Sequence, residues 1–304
     1  MAPSLQYFLV LFLTGAALRS CGVLGKFHAE RLAALVFSVS LPATILISLD
    51  RAPLSAAAWR LPVAACAITL PLIVISWPFL RLFRLPRATS GGFLLATGCI
   101  NSVYFAYPVI LATLGEPGLV HAVLFDLGQT TLTLTVLYGM AVWFGEADST
   151  RRSPLRRLVS SPPLWALGAI LLLRFFDLHL PSWLQTALTP LHWTTTPLAS
   201  LVLGLSINLR SLHRTWRLAI MSVLLRMGGG FLIGLGAVTL LQLSGLERVV
   251  VLLIAGMPSA VTAVIFAAET GLDEELVASA VALSLCLGMA ALPWFPDLAQ
   301  ALAS

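Results

Sequence analysis

Long apolar runs separated by short polar joints make up most of this chain, and the runs recur at about the 20 residues that a helix needs to cross a bilayer. Windows of that length place ten spans near residues 4–20, 30–49, 57–80, 89–114, 118–144, 161–178, 184–207, 215–243, 248–268 and 275–296. The longest polar joint, GEADSTRRSPLRRLVSSPP, follows the fifth span. The pattern therefore predicts an all-α polytopic membrane protein: a first five-helix repeat over 1–145, a cytoplasmic linker over 146–160 and a second five-helix repeat over 161–304. Because each repeat holds an odd number of spans, the second enters the membrane from the opposite side, which makes a 5+5 inverted repeat.

Two stretches break the apolar pattern. GCINSVYFAYPVILATLGEPG, residues 98–118, puts Asn101, Ser102, Tyr104 and Pro108 where the fourth span should be most oily. Five spans later, AGMPSAVT puts Met257, Pro258, Ser259 and Thr262 at a comparable depth in the ninth. Pro42 in VSLPAT and Pro197 in TTPLAS are a second matched pair, read as helix breaks in the second and seventh spans. A proline inside a helix removes a donor and clashes with the preceding turn, costing roughly 3 kcal/mol. Freed backbone groups at membrane depth persist only where protein, water or ligand satisfies them. The spacing thus predicts discontinuous fourth and ninth helices crossing near midplane, with residues 101–108 facing Pro258, Ser259 and Thr262.

Composition agrees with this reading, since 59% of the 304 residues are hydrophobic and 10% charged. The net charge of +5 does not point to nucleic acid, because the basic residues sit mostly in joints, where lipid headgroups are their neighbours. Arg19, Lys26, Arg31, Arg81, Arg84, Arg87, Arg151, Arg152, Arg156, Arg157, Arg210, Arg214 and Arg217 fall in odd-numbered joints, against Arg51, Arg60, Arg174 and Arg248 in even ones. By the positive-inside rule the odd joints are cytoplasmic and both termini lie outside, in a bacterial inner or plasma membrane. The N-terminus lacks a basic leader region and reads as a retained first span.

The four cysteines show no CxxC or Cys/His metal spacing and read as apolar packing residues. HExxH and GxSxG are absent and Lys26 is the only lysine, so no catalytic residues, metal or cofactor are expected, and an enzyme is not. Polar residues concentrate at the breaks and do not line a continuous pore, which argues against a channel. Ionisable residues within spans are functional candidates by default. Asp126 in the fifth span is a candidate proton carrier, and Arg226 in the eighth, just before a run of glycines, a candidate partner for an anion or for the Asp126 carboxylate. A structural Asp126–Arg226 pair would disqualify Asp126 as a shuttle. Glu269, eleven residues after Pro258, reads as a charge at a solvated helix end, and the five histidines as interfacial. Trp143, Trp183 and Trp294 fall at predicted span boundaries, as an aromatic belt does.

GAALRSCGVLG, LAALVFSVSLPA, NSVYFAYPVILATLGEPG, VLFDLGQ, SSPPLWALGAILLL, TPLASLVLGLSI, MPSAVTAVIFAAETGLDEELVASAVALS and the late LPWF occur in an order that resembles the auxin efflux carrier family, over almost the whole chain. The resemblance implies a scaffold paired with a transport domain whose broken helices cross at midplane, a fold shared in outline with bile-acid symporters. It places Asn101, Pro108 and Pro258 at the crossover, Tyr104, Met257, Ser259 and Thr262 beside it, and Gln129 at a family amide position in the fifth span. Val103 and Ala106 stand where the family often has glycine, and Thr262 where it often has asparagine. The function so implied is a secondary transporter moving a small organic anion, auxin-like or a mono- or dicarboxylate, by elevator-type alternating access. Half-helix N-termini favour a carboxylate, and Asn101, Ser102, Gln129, Ser259 and Thr262 add neutral hydrogen bonds. Coupling to protons or to sodium is open, with no evident sodium cage in the sequence. A sodium-coupled symporter of bile-acid type and a non-transporting membrane receptor are the alternatives. Partners are the anion and the lipid bilayer, with a homodimer left open.

Overall fold

The computed structural model describes residues 3–50, 52, 59–145, 154–207 and 212–303. Most of the predicted linker, residues 146–153, lies outside the described residues, as do Arg51 and Arg210 of the charge count. The chain begins with α1 (Pro3–Ser20), α2 (Lys26–Leu35), a wide π turn at Val36–Ser40 and α3 (Leu41–Asp50). Next come α4 (Arg60–Leu82) and α5 (Arg87–Gly98). After a short extended segment, a π turn at Ser102–Ala106 leads into α6 (Tyr107–Leu132), a π turn at Thr133–Leu137 and α7 (Tyr138–Phe144). The second part holds α8 (Pro154–Val159), α9 (Pro162–Phe175), α10 (Ser182–Ser206) and α11 (Leu212–Val223). A π turn at Leu224–Gly229 then precedes α12 (Gly230–Leu240), α13 (Gly245–Ala255), α14 (Val261–Thr270), α15 (Glu274–Ala291) and α16 (Phe295–Ala303).

Five helical stretches among the described residues are long and apolar enough to cross a bilayer: Phe27–Asp50, Arg60–Leu82, Ser102–Phe144, His213–Leu240 and Glu274–Trp294. The Pro162–Phe175 and Val261–Thr270 helices are shorter and apolar. The 43-residue Ser102–Phe144 stretch joins the end of the expected fourth span to the whole of the fifth. It turns at Gly115, whose φ of 70° and ψ of −166° suit only glycine. Large apolar side chains such as Val74, Leu172, Leu232 and Leu240 face outward, as do Trp143, Trp183 and Trp294, while small polar residues such as Thr69, Ser76, Ser200 and Ser284 are buried. That inversion of the usual inside and outside suits a chain solvated by lipid.

The proline readings need correction. Pro42 and Pro108 do not break their helices. Each follows a π turn by two residues, and in each turn the bond reaches back five residues: Leu41 N–H to Val36 O, and Tyr107 N–H to Ser102 O. The wider turn absorbs the position where a proline cannot donate, so the helix continues. Pro108 thus stands in the first turn of α6, where a missing N–H costs little. Pro197, with Pro190, lies inside a continuous α10, where the Thr194 and Ser200 hydroxyls donate to the Leu191 and Thr196 carbonyls at 2.7 Å.

The helices pack in two groups. α10 lies against α1, α2 and α3, and α9 against α3. At the α1/α10 contact a Cβ on Gly204 would stand 2.1 Å from Phe12 O and one on Gly15 2.6 Å from Leu201 O, so only glycine permits this approach. The second group holds α4 to α7 and α11 to α15, with α4 on α6 and α12, α5 on α15, and α13 on α6. The candidate site lies in this second group, on the side where Tyr104 donates to Ala33 O of α2 at 3.1 Å.

Candidate functional site

The chain leaves the helical conformation between Gly98 and Ser102, and again between Ala255 and Val261, and the two segments lie side by side. They pair antiparallel through a single bridge between Ile100 and Ser259. Asn101 N–H donates to Pro258 O and Ala260 N–H to Cys99 O, both at 2.9 Å. Each segment so supplies the donors and acceptors that the other lost on leaving its helix, which is how broken backbone survives at this depth. The break therefore lies at 99–101, ahead of the Asn101–Pro108 stretch that the sequence emphasised.

Four helix ends meet here, and they are served differently. Arg226, fully buried, donates from Nη2 to Ala255 O at 2.6 Å and from Nη1 to Thr97 O at 3.4 Å. Those carbonyls end α13 and α5, so one cation sits on the negative ends of both half-helices. Gly230 makes room for it: a Cβ there would stand 2.3 Å from Arg226 Nη2 and 2.6 Å from Ala255 O. Among the described residues no ion pair joins Arg226 to Asp126. Gln129 adds a further cap, its Nε2 donating to Gly98 O at 3.4 Å and to Thr133 Oγ1 at 3.2 Å, while its Oε1 accepts from Thr69 at 2.7 Å.

The N-terminal ends of the Ser102 segment and of α14 reach a cavity of about 460 Å³. Asn101, Ser102, Val103, Tyr104, Asp126, Gln129, Thr130, Thr133, Ala260 and Thr262 line its floor and walls. Ala33, Ala34 and Phe37 form a side from the first helix group; Glu30, Ala34 and Ser160 are the exposed residues of the lining, with half-buried Arg157 three residues before Ser160. Three of the four π turns contribute lining residues, a common placement for such turns. Asp126 is 4% exposed and accepts from the Ser102 hydroxyl and from Thr130 Oγ1, the latter at 3.0 Å. Asn101 gives its Nδ2 to Ser259 O at 3.3 Å and leaves Oδ1 buried without a hydrogen-bond partner.

Other expected site residues do not line the cavity, and of these Met257, Pro258 and Ser259 are in the crossing. Met257 is fully buried, the Ser259 hydroxyl donates to Ala96 O at 2.7 Å and the Ser259 N–H to Ser284 Oγ at 3.1 Å, and Pro258 packs at Gly288. Pro108 is buried in α6. Glu269, at the end of α14, is ion-paired with Arg157. The sequence reading missed Thr130, Thr133 and Arg157. Thr130 and Thr133 lie four and seven residues after Asp126, one helical face whose spacing is visible in the chain. Arg157 read only as linker charge. His192, expected at an interface, is buried: Nδ1 lies 3.3 Å from Thr44 Oγ1 and Nε2 3.2 Å from Glu116 Oε1. Thr44 also bonds Thr195 at 2.7 Å, and Ser40 bonds Thr194 at 2.9 Å, so this histidine belongs to a polar seam between α3 and α10.

A lipid-solvated helical fold whose broken helices pair beside a cavity holding a few polar side chains defines a membrane transport protein. Residues 1–296 match the family described as membrane transport protein, and the chain belongs to it, the auxin efflux carrier family. It is an integral membrane protein of a transport family, which is not a class of enzymes. An uncharacterized transporter of Methanothermobacter thermautotrophicus is 35% identical over 292 residues, 94% of each chain. An uncharacterized transporter of Methanocaldococcus jannaschii is 27% identical over 280 residues, 90% of each.

Proposed function

We propose that this protein is a secondary transporter that carries a small organic anion through the cavity by alternating access. The crossing carries this reading: two half-helix N-termini, with their unpaired amides and positive ends, reach one cavity, while the opposite ends are already capped. In this reading the chain is a ten-span inverted repeat. α1, α2, α3, α9 and α10 form the scaffold, and the second helix group moves against it as the elevator. The exposed lining residues Glu30, Ala34 and Ser160 mark the cavity's outer side, and Ser160 and Arg157 belong to the joint richest in basic residues, so in this reading the cavity faces the cytoplasm, with both termini outside.

Coupling follows from the charges at the floor. Asp126 is the acid there, with hydroxyl partners and no cation bonded to it among the described residues, and two negative charges about 4 Å apart repel by about 4 kcal/mol at an effective dielectric of about 20. An anion therefore enters with a proton on Asp126, and the pair crosses together. Sodium is disfavoured as the coupling ion because the Arg226 guanidinium already lies on the half-helix carbonyls that would attract a cation.

Proteoliposomes holding the purified protein, offered labelled malonate, malate or indole-3-acetate in sodium-free buffer, provide the test. Uptake of at least one acid, stimulated by an inward proton gradient, is expected. Asp126→Asn should remove most of that proton stimulation while leaving the fold intact by thermal unfolding. Stabilisation by neutral or cationic ligands alone, with no response to any acid, would overturn the anion reading. Strict sodium dependence would favour the symporter of bile-acid type.

A further inference from the structure

Arg157 is the one cationic side chain among the described residues that line the cavity. The other charged lining residues, Glu30 and Asp126, are acidic, and the floor beside Asp126 offers only neutral donors. An anion approaching from the opening thus meets a single attractive side chain before the crossing. Arg157 lies on α8, its guanidinium carbon 4.2 Å from the Tyr138 ring centroid and 5.0 Å from that of Phe266. Aromatic faces hold the flat face of a guanidinium and leave its in-plane N–H donors for a carboxylate. In this structure that carboxylate is Glu269, bonded through Nη2.

We infer that Arg157 captures the carboxylate of the incoming anion and that Glu269 is its resting partner, exchanged when the anion arrives. This rests on the carrier reading above. The exchange is balanced: the guanidinium trades one carboxylate for another, and no charge is left unpaired in a dry place. Glu269 is 41% exposed and Arg157 23%, so the released Glu269 returns to water, and an ion pair this open gives way readily. Glu269 ends α14, whose N-terminus lines the same cavity, and Tyr138 and Phe266 come from α7 and α14. Loading would therefore release a contact between the linker helix and the broken helix at the moment the substrate is bound.

The two partners predict opposite signs. If Arg157 binds the anion and Glu269 competes for it, Arg157→Gln raises KM for malonate uptake about 10-fold or more, the scale of one lost charge-assisted contact. Glu269→Gln removes the internal competitor and should lower KM by roughly 2- to 5-fold, since the competing pair is weak. Arg157→Lys, which keeps the charge but loses the planar fork, should fall between wild type and Arg157→Gln. The same order should appear as thermal stabilisation by malonate in detergent, which separates affinity from turnover and shows whether each variant folds. If Arg157→Gln and Glu269→Gln shift KM in the same direction, or neither shifts it, the pair is only a structural clasp and the inference fails. If malonate fails but malate or indole-3-acetate is taken up by the wild-type protein, the series is run with that acid. Failure of the wild-type protein to bind or move any of the three sinks the carrier reading itself, a different result from a silent Arg157 variant.

Discussion

The two breaks that the sequence makes look alike are used differently. At the first, Asn101 and Ser102 line the cavity, with Asp126 and Thr130 held beside them and an unpartnered acceptor on Asn101. At the second, Met257, Pro258 and Ser259 are turned into protein: Ser259 bonds Ala96 and Ser284, and Pro258 presses on Gly288. Of the second break only Ala260, among the described residues, reaches the cavity, with Thr262, Ile265 and Phe266 beyond it on α14. One break presents chemistry and the other braces it. The two broken helices meet through their backbones, but the surroundings of each decide which polar groups are left for a ligand.

The largest expected effect falls on the feature that serves both breaks equally. Arg226→Met leaves the Thr97 and Ala255 carbonyls buried without a donor and should cost about 3 kcal/mol or more, read as a lower unfolding temperature in detergent. A wild-type unfolding temperature in that variant would mean the cap is dispensable. The comparison itself is broken or sharpened by a pair of substitutions. Ser259→Ala should lower stability by about 1–2 kcal/mol and leave malonate affinity near wild type, whereas Asn101→Ala should abolish uptake with a smaller loss of stability. The reverse pattern, with Ser259→Ala blind to the acid and fully stable, would show that the second break presents chemistry too. Thr262→Val, at the edge of the second break, should raise KM by only a few-fold, the scale of one neutral hydrogen bond.

Much of the fold was legible along the chain. The joints at 21–25 and 83–86, the turn near Gly115 and the helix starts at Pro162 and Ser182 fall close to the ends of apolar windows, because hydropathy and Gly/Pro placement act locally. The prolines misled for a physical reason. A proline's cost depends on whether the preceding turn can widen, and the π turns before Pro42 and Pro108 depend on packing that hydropathy does not encode. His192 misled similarly, since its imidazole is held by the Thr44 and Glu116 side chains that α3 and the Gly115 turn bring to it.

By itself the sequence determined that this chain lives in a membrane as apolar helices, that two of those helices are interrupted by polar residues, and that one acid and one base lie deep within spans. Burial of charge and loss of helix are costly enough in lipid that such departures are visible without coordinates. Only the tertiary structure decided what became of them. Arg226 went to two backbone carbonyls and Asp126 to two hydroxyls, although opposite charges invite a pair, because the partner of a buried charge is set by which helix ends arrive within about 3 Å of it, and that is fixed by packing across the whole chain.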